Sequence, residues 1–238
     1  MTNARYPTVV IDDFFDNPDK IRKLMNQCEF NLDQDMYPGV RTDNLQFLDS
    51  DFYDFIKIKL LSIFHEDWNK IKSYYNVNIQ FEKITPFKDK YDIRNTGMVH
   101  ADCPAEFGGV VYLDPDPDPD AGTTLYTKTG EYAKMPDGMI EEWRKLYTKQ
   151  DVDIDKFQKL YKKLMGYFEE SVIVKPKFNR LVMFDGTKFH RCHNFGSKPR
   201  YTLVFFCGIA PHSNTLYQPA PPLHRAVSYT HLTLPTKA

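Results

Sequence analysis

Residues 96–102 read TGMVHAD and hold the pattern on which the fold assignment rests. If this stretch is a β-strand, side chains two positions apart share one face, so His100 and Asp102 point the same way while Ala101 points to the other side. An imidazole and a carboxylate on one face are two-thirds of a 2-His-1-carboxylate site, which is typical of non-haem Fe(II) enzymes. The stretch therefore predicts a metal site whose third ligand comes from elsewhere in the chain.

A second His-x-Asp pattern, His65 to Asp67, shows how little this spacing means by itself. It lies within residues 51–75, where apolar side chains recur at helical spacing, so we predict one helix there. Residues two apart do not share a face of a helix, so this histidine and aspartate do not converge on one ion. We therefore interpret His65 as a surface or boundary residue.

The composition predicts a single globular domain without an electrostatic preference for nucleic acid. The chain has 238 residues, of which 42% are hydrophobic and 15% aromatic, and its formal net charge is −1. That length suffices for a sizeable core, and there is no global basic field to attract a polyanion. The longest apolar run, residues 203–210, is far shorter than the ~20 residues of a membrane-spanning helix. We expect neither a nucleic-acid nor a membrane partner, and the oligomeric state is left open.

The cysteines and the N-terminus favour a cytoplasmic protein. Cys28, Cys103, Cys192 and Cys207 form no C-x-x-C pair, and a chain of this size folds without disulfides. The N-terminal residues lack the apolar core of a secretion signal. We predict that Cys103, Cys192 and Cys207 are small buried hydrophobic residues, although Cys192 beside a metal would be prone to oxidation.

Residues 227–236, VSYTHLTLPT, resemble a translated sequencing-library adapter. We therefore exclude residues 227–238, with His231 among them, from the fold prediction and expect one domain over residues 1–226. His212 and His224 carry no pattern that supports a functional role.

Changes in hydrophobic periodicity predict helices first and short strands afterwards. Helical spacing marks residues 19–28 and 51–75, and again residues 139–168, which interrupt the strands as an insertion. This order is typical of an α+β protein with a sandwich or barrel core, and a jelly roll over about residues 77–210 is the natural candidate. The predicted strands cover residues 8–11, 77–81, 96–102, 109–113, 122–127, 171–174, 180–184, 188–193 and 200–207.

Residues 114–120 read DPDPDPD, a low-complexity run that excludes regular structure because prolines alternate with mutually repelling carboxylates. The main interpretation is a solvated loop between two strands. The alternative is a loop that attracts a basic substrate or a hard cation.

The third metal ligand is expected among the later strands, where His190 and His193 are the candidates. Arg200 follows His190 by ten residues, which predicts neighbouring antiparallel strands that both face the cavity. A buried arginine binds a carboxylate bidentately, as the far end of a dicarboxylic keto acid would require. Thr202, on the same face as Arg200, and Tyr112 could donate further hydrogen bonds to that carboxylate.

In this order and spacing, these segments resemble the 2-oxoglutarate- and Fe(II)-dependent oxygenases of the prolyl-4-hydroxylase-like type. The segments are HAD at 100–102, VYL at 111–113, RLVMF at 180–184, His190, and RYT at 200–202. The resemblance covers roughly residues 79–209, with residues 8–28 as a lead-in. It implies a double-stranded β-helix core. The acidic loop and the helical insertion depart from the family pattern, so the substrate is not carried over.

The resemblance also implies roles for individual residues. His100, Asp102 and His190 would match the family's iron ligands, Arg200 would pair with the far carboxylate of 2-oxoglutarate, and Tyr112 and Thr202 are softer matches. Family members that halogenate lack the carboxylate ligand, so Asp102 favours hydroxylation or a related oxidation. The implied cofactors are Fe(II), 2-oxoglutarate as co-substrate and O2, with ascorbate as a supporting reductant.

The sequence thus predicts a dioxygenase that hydroxylates a C–H bond of a peptidyl residue, an amino acid or another small molecule. Two alternatives stay open. One is a non-catalytic jelly-roll binding protein, and the other is a cupin-like metalloenzyme that does not use 2-oxoglutarate.

Overall fold

A computed structural model describes residues 5–31, 38–87, 92–129, 134–148 and 150–210. The predicted adapter segment, His212, His224 and His231 lie outside these ranges. The elements are β1 (Val9–Ile11), α1 (Pro18–Met25), β2 (Val40–Arg41), α2 (Leu45–Leu48), α3 (Ser50–Phe64), α4 (Trp68–Ile71), β3 (Tyr75–Ile84), a 3-10 turn (Ile93–Asn95), β4 (Phe107–Tyr112), β5 (Thr123–Lys128), α5 (Met139–Tyr147), α6 (Ile154–Met165), β6 (Phe168–Val174), β7 (Leu181–Asp185), β8 (Phe189–Cys192) and β9 (Arg200–Ile209).

The strands form two antiparallel sheets. The larger has the order β1-β7-β4-β9-β3-β2 and the smaller the order β6-β5-β8. Strand β3 shows why the larger sheet forms: Val77, Ile79 and Phe81 are fully buried against the N-terminal helices, while Asn76 and Asn78, which alternate with them, are exposed. Its long pairing with β9 fixes the register of the face that carries the site.

The single helix predicted over residues 51–75 is wrong, because the chain breaks at His65 into α3 and α4. The helical spacing of apolar residues continues across the break because Trp68 and Ile71 on α4 pack against the same core as α3. His65 caps α3 in an extended conformation and is buried beside the rings of Tyr6 and Tyr75, so the prediction of a surface or boundary residue is also wrong.

Residues 96–102 do not form the regular strand that the sequence predicted. They run beside β8 with sparse backbone hydrogen bonds, and only His100 makes a complete antiparallel bridge, to His190. The Gly97 N–H donates to the Cys192 carbonyl at 3.2 Å, and the Asp102 N–H donates to the Gly186 carbonyl at 2.9 Å. The segment therefore lies along the β8 edge of the smaller sheet as a fourth, irregular extended segment.

The helical insertion folds as α5 and α6, whose apolar faces pack together with Val99, Tyr126 and Phe168. Arg191 of β8 joins the insertion to the sheet, because its buried guanidinium donates to the hydroxyls of Tyr126 and Tyr161. Within the described ranges, none of the helices combines the length and the apolar character that crossing a bilayer requires.

The acidic loop at residues 114–120 fastens the turn that precedes Arg200. The Asp118 carboxylate accepts hydrogen bonds from the backbone and hydroxyl of Ser197 at 3.1 and 2.9 Å, and Asp114 accepts from the Tyr201 N–H at 3.0 Å. The expectation of a solvated loop fits Asp116, whose side chain is 95% exposed beside Lys198, but it is wrong for the buried Asp118.

Replacing Asp118 should therefore destabilise the fold, whereas replacing Asp116 should not. We expect Asp118→Ala to lower the free energy of unfolding by about 1–3 kcal/mol, because the buried carboxylate loses its two hydrogen bonds from Ser197 and a third from the Asp120 N–H at 3.1 Å. Asp116→Ala is the matched control, and its exposed ion pair predicts a change below about 1 kcal/mol. Urea unfolding of both variants measures the difference, and equal effects would contradict the assignment.

Candidate metal centre

Three side chains from two distant parts of the chain converge between the two sheets. One donor atom each of His100, Asp102 and His190 lies within 4.8 Å of the other two. Each oxygen of the Asp102 carboxylate faces one imidazole, at 3.5 Å from His100 Nε2 and 3.4 Å from His190 Nε2. Among the residues that the structure describes, this is the one group of three potential metal ligands.

The backbone brings the two histidines together. The His100 N–H donates to the His190 carbonyl at 3.0 Å, and the His190 N–H donates back to the His100 carbonyl at 2.8 Å. Directly opposed residues of an antiparallel pair lie close together, and here the ring centroids are 4.4 Å apart. This reciprocal pair of hydrogen bonds thus brings together two histidines that are 90 residues apart in the sequence.

Hydrogen bonds at Nδ1 orient both imidazoles. His100 Nδ1 lies 2.8 Å from the Met98 carbonyl, and His190 Nδ1 lies 2.9 Å from the Lys188 carbonyl. Because a carbonyl can only accept, both Nδ1 atoms carry the proton when the rings are neutral. Each Nε2 then keeps its lone pair, on the side that faces Asp102.

Burial lowers the pKa of His190 to about 4, although the Asp102 carboxylate pulls it the other way. The ring packs against Phe184 at a centroid distance of 4.3 Å. His190 is therefore neutral near pH 7, the protonation state that a metal ligand needs. The His100 side chain is 42% exposed, so the three-residue cluster is open on its side.

The donor set and its spacing fit a metal ion. Two ligand atoms bonded at about 2.0–2.1 Å and at a right angle lie roughly 3 Å apart, close to the observed 3.4 and 3.5 Å. Two neutral imidazoles with one carboxylate match the facial arrangement of non-haem Fe(II) sites. Gly108 leaves space here, since a Cβ at that position would lie 3.2 Å from Asp102 Oδ2.

A cavity of about 110 Å³ extends from the three-residue cluster between the sheets. Arg200 lines it, with a side chain only 5% exposed, and its Nε donates to the Ala121 carbonyl at 3.1 Å. A buried guanidinium thus faces the same small space as the candidate ligands. Other lining residues are Gly97, Met98, Thr123, Tyr147, Phe184, Cys192 and Phe206.

The predicted placement of His190 and Arg200 on neighbouring strands is wrong. His190 is on β8 of the smaller sheet and Arg200 is on β9 of the larger sheet, so the connection between them crosses from one sheet to the other. A ten-residue interval with a glycine turn fits a hairpin and a crossing equally well. Both residues nevertheless line the cavity.

A buried acid, Glu82, lies between two arginines and was missed by the sequence analysis. Arg41 holds Glu82 Oε1 with Nε at 2.8 Å and Nη2 at 2.7 Å, while Arg200 Nη1 is 3.8 Å from Oε2. A signal for Glu82 was available, because alternation along β3 places Gln80 and Glu82 on the face opposite the apolar residues. Nothing comparable marks Arg41, which lies on the two-residue strand β2.

Tyr112 and Thr202 lie around Arg200, and both hydroxyls have partners within the protein. The Tyr112 hydroxyl is 2.8 Å from Thr123 Oγ1, and the Arg200 guanidinium lies 5.4 Å from the centre of the Tyr112 ring. The Thr202 hydroxyl donates to Glu82 at 3.4 Å. Thr123, rather than Tyr112 or Thr202, lines the cavity.

The remaining candidates fall outside the cluster. His193 Nδ1 pairs with Thr124 Oγ1 at 2.9 Å, so the structure brings His190 and not His193 to the other two ligands. Cys192 lines the cavity, and burial raises the pKa of its thiol. Cys103 is exposed in the turn after Asp102, so the prediction that it is buried is wrong.

Solved structures with a similar fold include complexes with metal and 2-oxoglutarate. HygX from Streptomyces hygroscopicus with nickel and 2-oxoglutarate bound is 14% identical, with a TM-score of 0.51, and the match covers 85% of this chain and 83% of that chain. The HygX complex that also contains hygromycin B gives 12% identity and a TM-score of 0.52, with the same coverage. The epimerase SnoN with Fe³⁺, alpha ketoglutarate and nogalamycin RO gives 11% and 0.50, covering 87% of this chain and 80% of that chain.

A prolyl 4-hydroxylase from Phytophthora capsici is 14% identical with a TM-score of 0.49, and the match covers 87% of this chain and 60% of that chain. The comparisons confirm the predicted fold, a jelly-roll core with flanking helices, which this chain shares with HygX and SnoN. By sequence, the chain belongs to a family described as a family of unknown function, DUF6445, which matches residues 1–194. No curated protein matches the sequence.

The lowered pKa of His190 predicts that the metal-free protein loses stability as the pH falls. The imidazole of the unfolded chain titrates near 6.5, whereas the folded protein keeps it neutral down to about 4. Between these values the unfolded state binds more protons, so the stabilisation is fully present above about pH 6.5 and is lost as the pH falls. We expect a loss on the order of 2 kcal/mol between about pH 7 and pH 5.

Urea unfolding of the metal-free wild type and of His190→Asn at both pH values measures this loss. The variant should show a smaller pH dependence by about the same amount. The buried His65 has its pKa lowered as well, and it is retained in both proteins, so the difference isolates His190. Equal pH dependence in the two proteins would contradict the prediction.

Proposed function

We propose that this protein is a 2-oxoglutarate- and Fe(II)-dependent dioxygenase that hydroxylates a C–H bond. One observation carries the proposal: a His-Asp-His cluster and a buried arginine share one small cavity between the two sheets. The fold that the chain shares with HygX and SnoN supports it. The proposal includes a single domain over residues 1–226 and a cytoplasmic location, which the four free cysteines favour.

The metal would be held by His100 Nε2, His190 Nε2 and the Asp102 carboxylate. Iron bound there would catalyse the oxidation of 2-oxoglutarate by O2 to succinate and carbon dioxide, coupled to insertion of the second oxygen atom into a substrate C–H bond. The protein contributes orientation, because the two carbonyls at Met98 and Lys188 fix the direction of each Nε2.

Arg200 would bind the carboxylate of 2-oxoglutarate that is remote from the metal. Its Nε is already occupied by the Ala121 carbonyl, which aligns the guanidinium, and the long 3.8 Å approach to Glu82 leaves that pair loose. Burial of the side chain excludes water, so a carboxylate paired there meets little competition from solvent. Glu82, which is held by Arg41, offsets part of the positive charge of Arg200 when no co-substrate is bound.

The substrate class stays broad in this proposal: a peptidyl residue, an amino acid or another small molecule. The complex of HygX with hygromycin B, at 12% identity, supports no specific substrate for this chain. Asp102 leaves no ligand position free for a halide in the facial set, which favours hydroxylation. The direct test is succinate release from 2-oxoglutarate with Fe(II), ascorbate and O2, in the presence of a substrate panel.

Removal of the carboxylate ligand should abolish tight metal binding. We expect Asp102→Ala to weaken the affinity for Mn(II), used as a redox-stable probe, by about 100-fold or more, since loss of even an outer-shell partner costs about 10–100-fold. Asp116→Ala, at an exposed carboxylate outside the three-residue cluster, is the control and should bind as the wild type does. Electron paramagnetic resonance of free Mn(II) gives both affinities, and undiminished binding by Asp102→Ala would refute the metal assignment.

Removal of the buried guanidinium should weaken 2-oxoglutarate binding without removing the metal. We expect Arg200→Ala to raise the dissociation constant for 2-oxoglutarate by about 10- to 100-fold, the cost of hydrogen bonds to a charged group. Calorimetric titration of the Mn(II)-loaded protein measures the change. Arg144→Ala, on the exposed face of α5, is the matched control.

If Arg200→Ala bound 2-oxoglutarate with wild-type affinity, a cupin-like metalloenzyme without this co-substrate would replace the proposal. If metal and co-substrate bound normally but no succinate formed with any candidate substrate, a non-catalytic binding protein would be favoured.

A further inference from the structure

A second, larger depression adjoins the cavity and shares part of its wall. This outer cleft has a volume of about 790 Å³, against about 110 Å³ for the inner cavity, and Asp102 and Phe206 line both. Drug-sized ligands occupy pockets of roughly 300–1,000 Å³, so the outer cleft has the larger capacity and the inner cavity has room for a small molecule only.

The floor of the outer cleft continues the sheet face that lines the inner cavity. Asn76 and Asn78 of β3 lie directly across from Gly208 and Phe206 of β9, and all four line the cleft. Because side chains two apart share a face, this row is in line with Glu82 and Arg200 further along the same strands. One face of the larger sheet therefore extends from the buried guanidinium of Arg200, past the candidate metal ligands, to solvent.

The described wall of the cleft is largely apolar, and its polar side chains are two asparagines, Asp102 and one further acid. The two asparagines are exposed amides that can donate and accept hydrogen bonds. Glu106 is the remaining carboxylate. Its side chain is 20% exposed, and its ion pair with the 68% exposed Arg5 is long, at 3.6 Å, so the pairing is weak. No lysine or arginine is among the described residues that line the cleft.

We propose that the outer cleft is the substrate site and that it takes a polar, positively charged molecule larger than a free amino acid. This inference rests on the proposed function for the reaction at Asp102, although the binding it predicts does not need metal or co-substrate. The absence of lysine and arginine from the described lining disfavours an anionic substrate, and the asparagine amides suit a molecule rich in amide or hydroxyl groups. A basic peptide and an amino sugar share this chemistry.

Gly208 offers a way to fill the cleft with little disturbance of the fold. A Cβ built on Gly208 meets no atom within 4 Å, so a side chain there would project into open space. Gly208→Trp should occlude the cleft, and Gly208→Ala, which adds one methyl group at the same place, is the matched control. Equal thermal unfolding temperatures would show that both variants are folded.

The probes differ in charge at constant size. One set is a blocked hexapeptide with two lysines and its counterparts with glutamine or glutamate at those positions. The other is a glucosamine trisaccharide and its N-acetylated form, and free lysine is the size control. Calorimetry on the metal-free protein should show that the cationic member of one set binds about three- to tenfold more tightly than its neutral counterpart, and more tightly than lysine.

The set that shows this preference identifies the source of the positive charge. Gly208→Trp should abolish the binding, while Gly208→Ala and Arg200→Ala should retain it. Absence of binding by every probe, binding without charge preference, or binding unaffected by Gly208→Trp would overturn the inference. If the wild-type protein bound the probe but failed to bind Mn(II) or 2-oxoglutarate, the proposed function would be overturned and the cleft assignment would stand.

Discussion

The pair of backbone hydrogen bonds between His100 and His190 is the constraint on which the site depends. It joins an irregular segment to β8 and sets two imidazoles side by side. A shift of one residue in this register would turn one imidazole to the other face, because side chains alternate across a strand. Neither histidine could then meet the other at Asp102, so the candidate metal centre is a property of strand register as much as of residue identity.

The second organising feature is electrostatic. The buried Glu82 and Arg200 and the half-buried Arg41 form a row of two cations and one anion, with the acid held tightly by Arg41 and loosely by Arg200. In a low-dielectric interior such a row is costly unless its charges are matched. The row has one net positive charge, which a carboxylate bound at Arg200 would neutralise. Because an unmatched charge is unfavourable in the interior, this imbalance favours binding of the proposed co-substrate.

Much of the fold and part of the site could be predicted from the sequence. Alternation in β3 and the apolar run in β4 revealed these strands, and the order of HAD, His190 and Arg200 indicated the fold class. The break at His65 was hidden because α3 and α4 bury their apolar residues in one core. The sheet membership of β8 and β9 was undecidable from a ten-residue interval, since packing of the two sheets settles it. Glu82 and Arg41 were missed because their pairing joins β3 to a two-residue strand without a periodic signal.

The attachment of the helical insertion has a consequence for how such proteins can diverge. Arg191 is the chain neighbour of His190, and its guanidinium is bonded to Tyr126 of the sheet and Tyr161 of α6. The α5–α6 pair therefore cannot be exchanged independently of the sheet. An exchange that removed Tyr161 would take a hydrogen-bond partner from the buried guanidinium of Arg191, which is adjacent in sequence to the metal-ligand candidate His190. Variation in this region is expected to proceed by coordinated replacement of the arginine and the tyrosines together, or to be confined to the outer faces of the two helices.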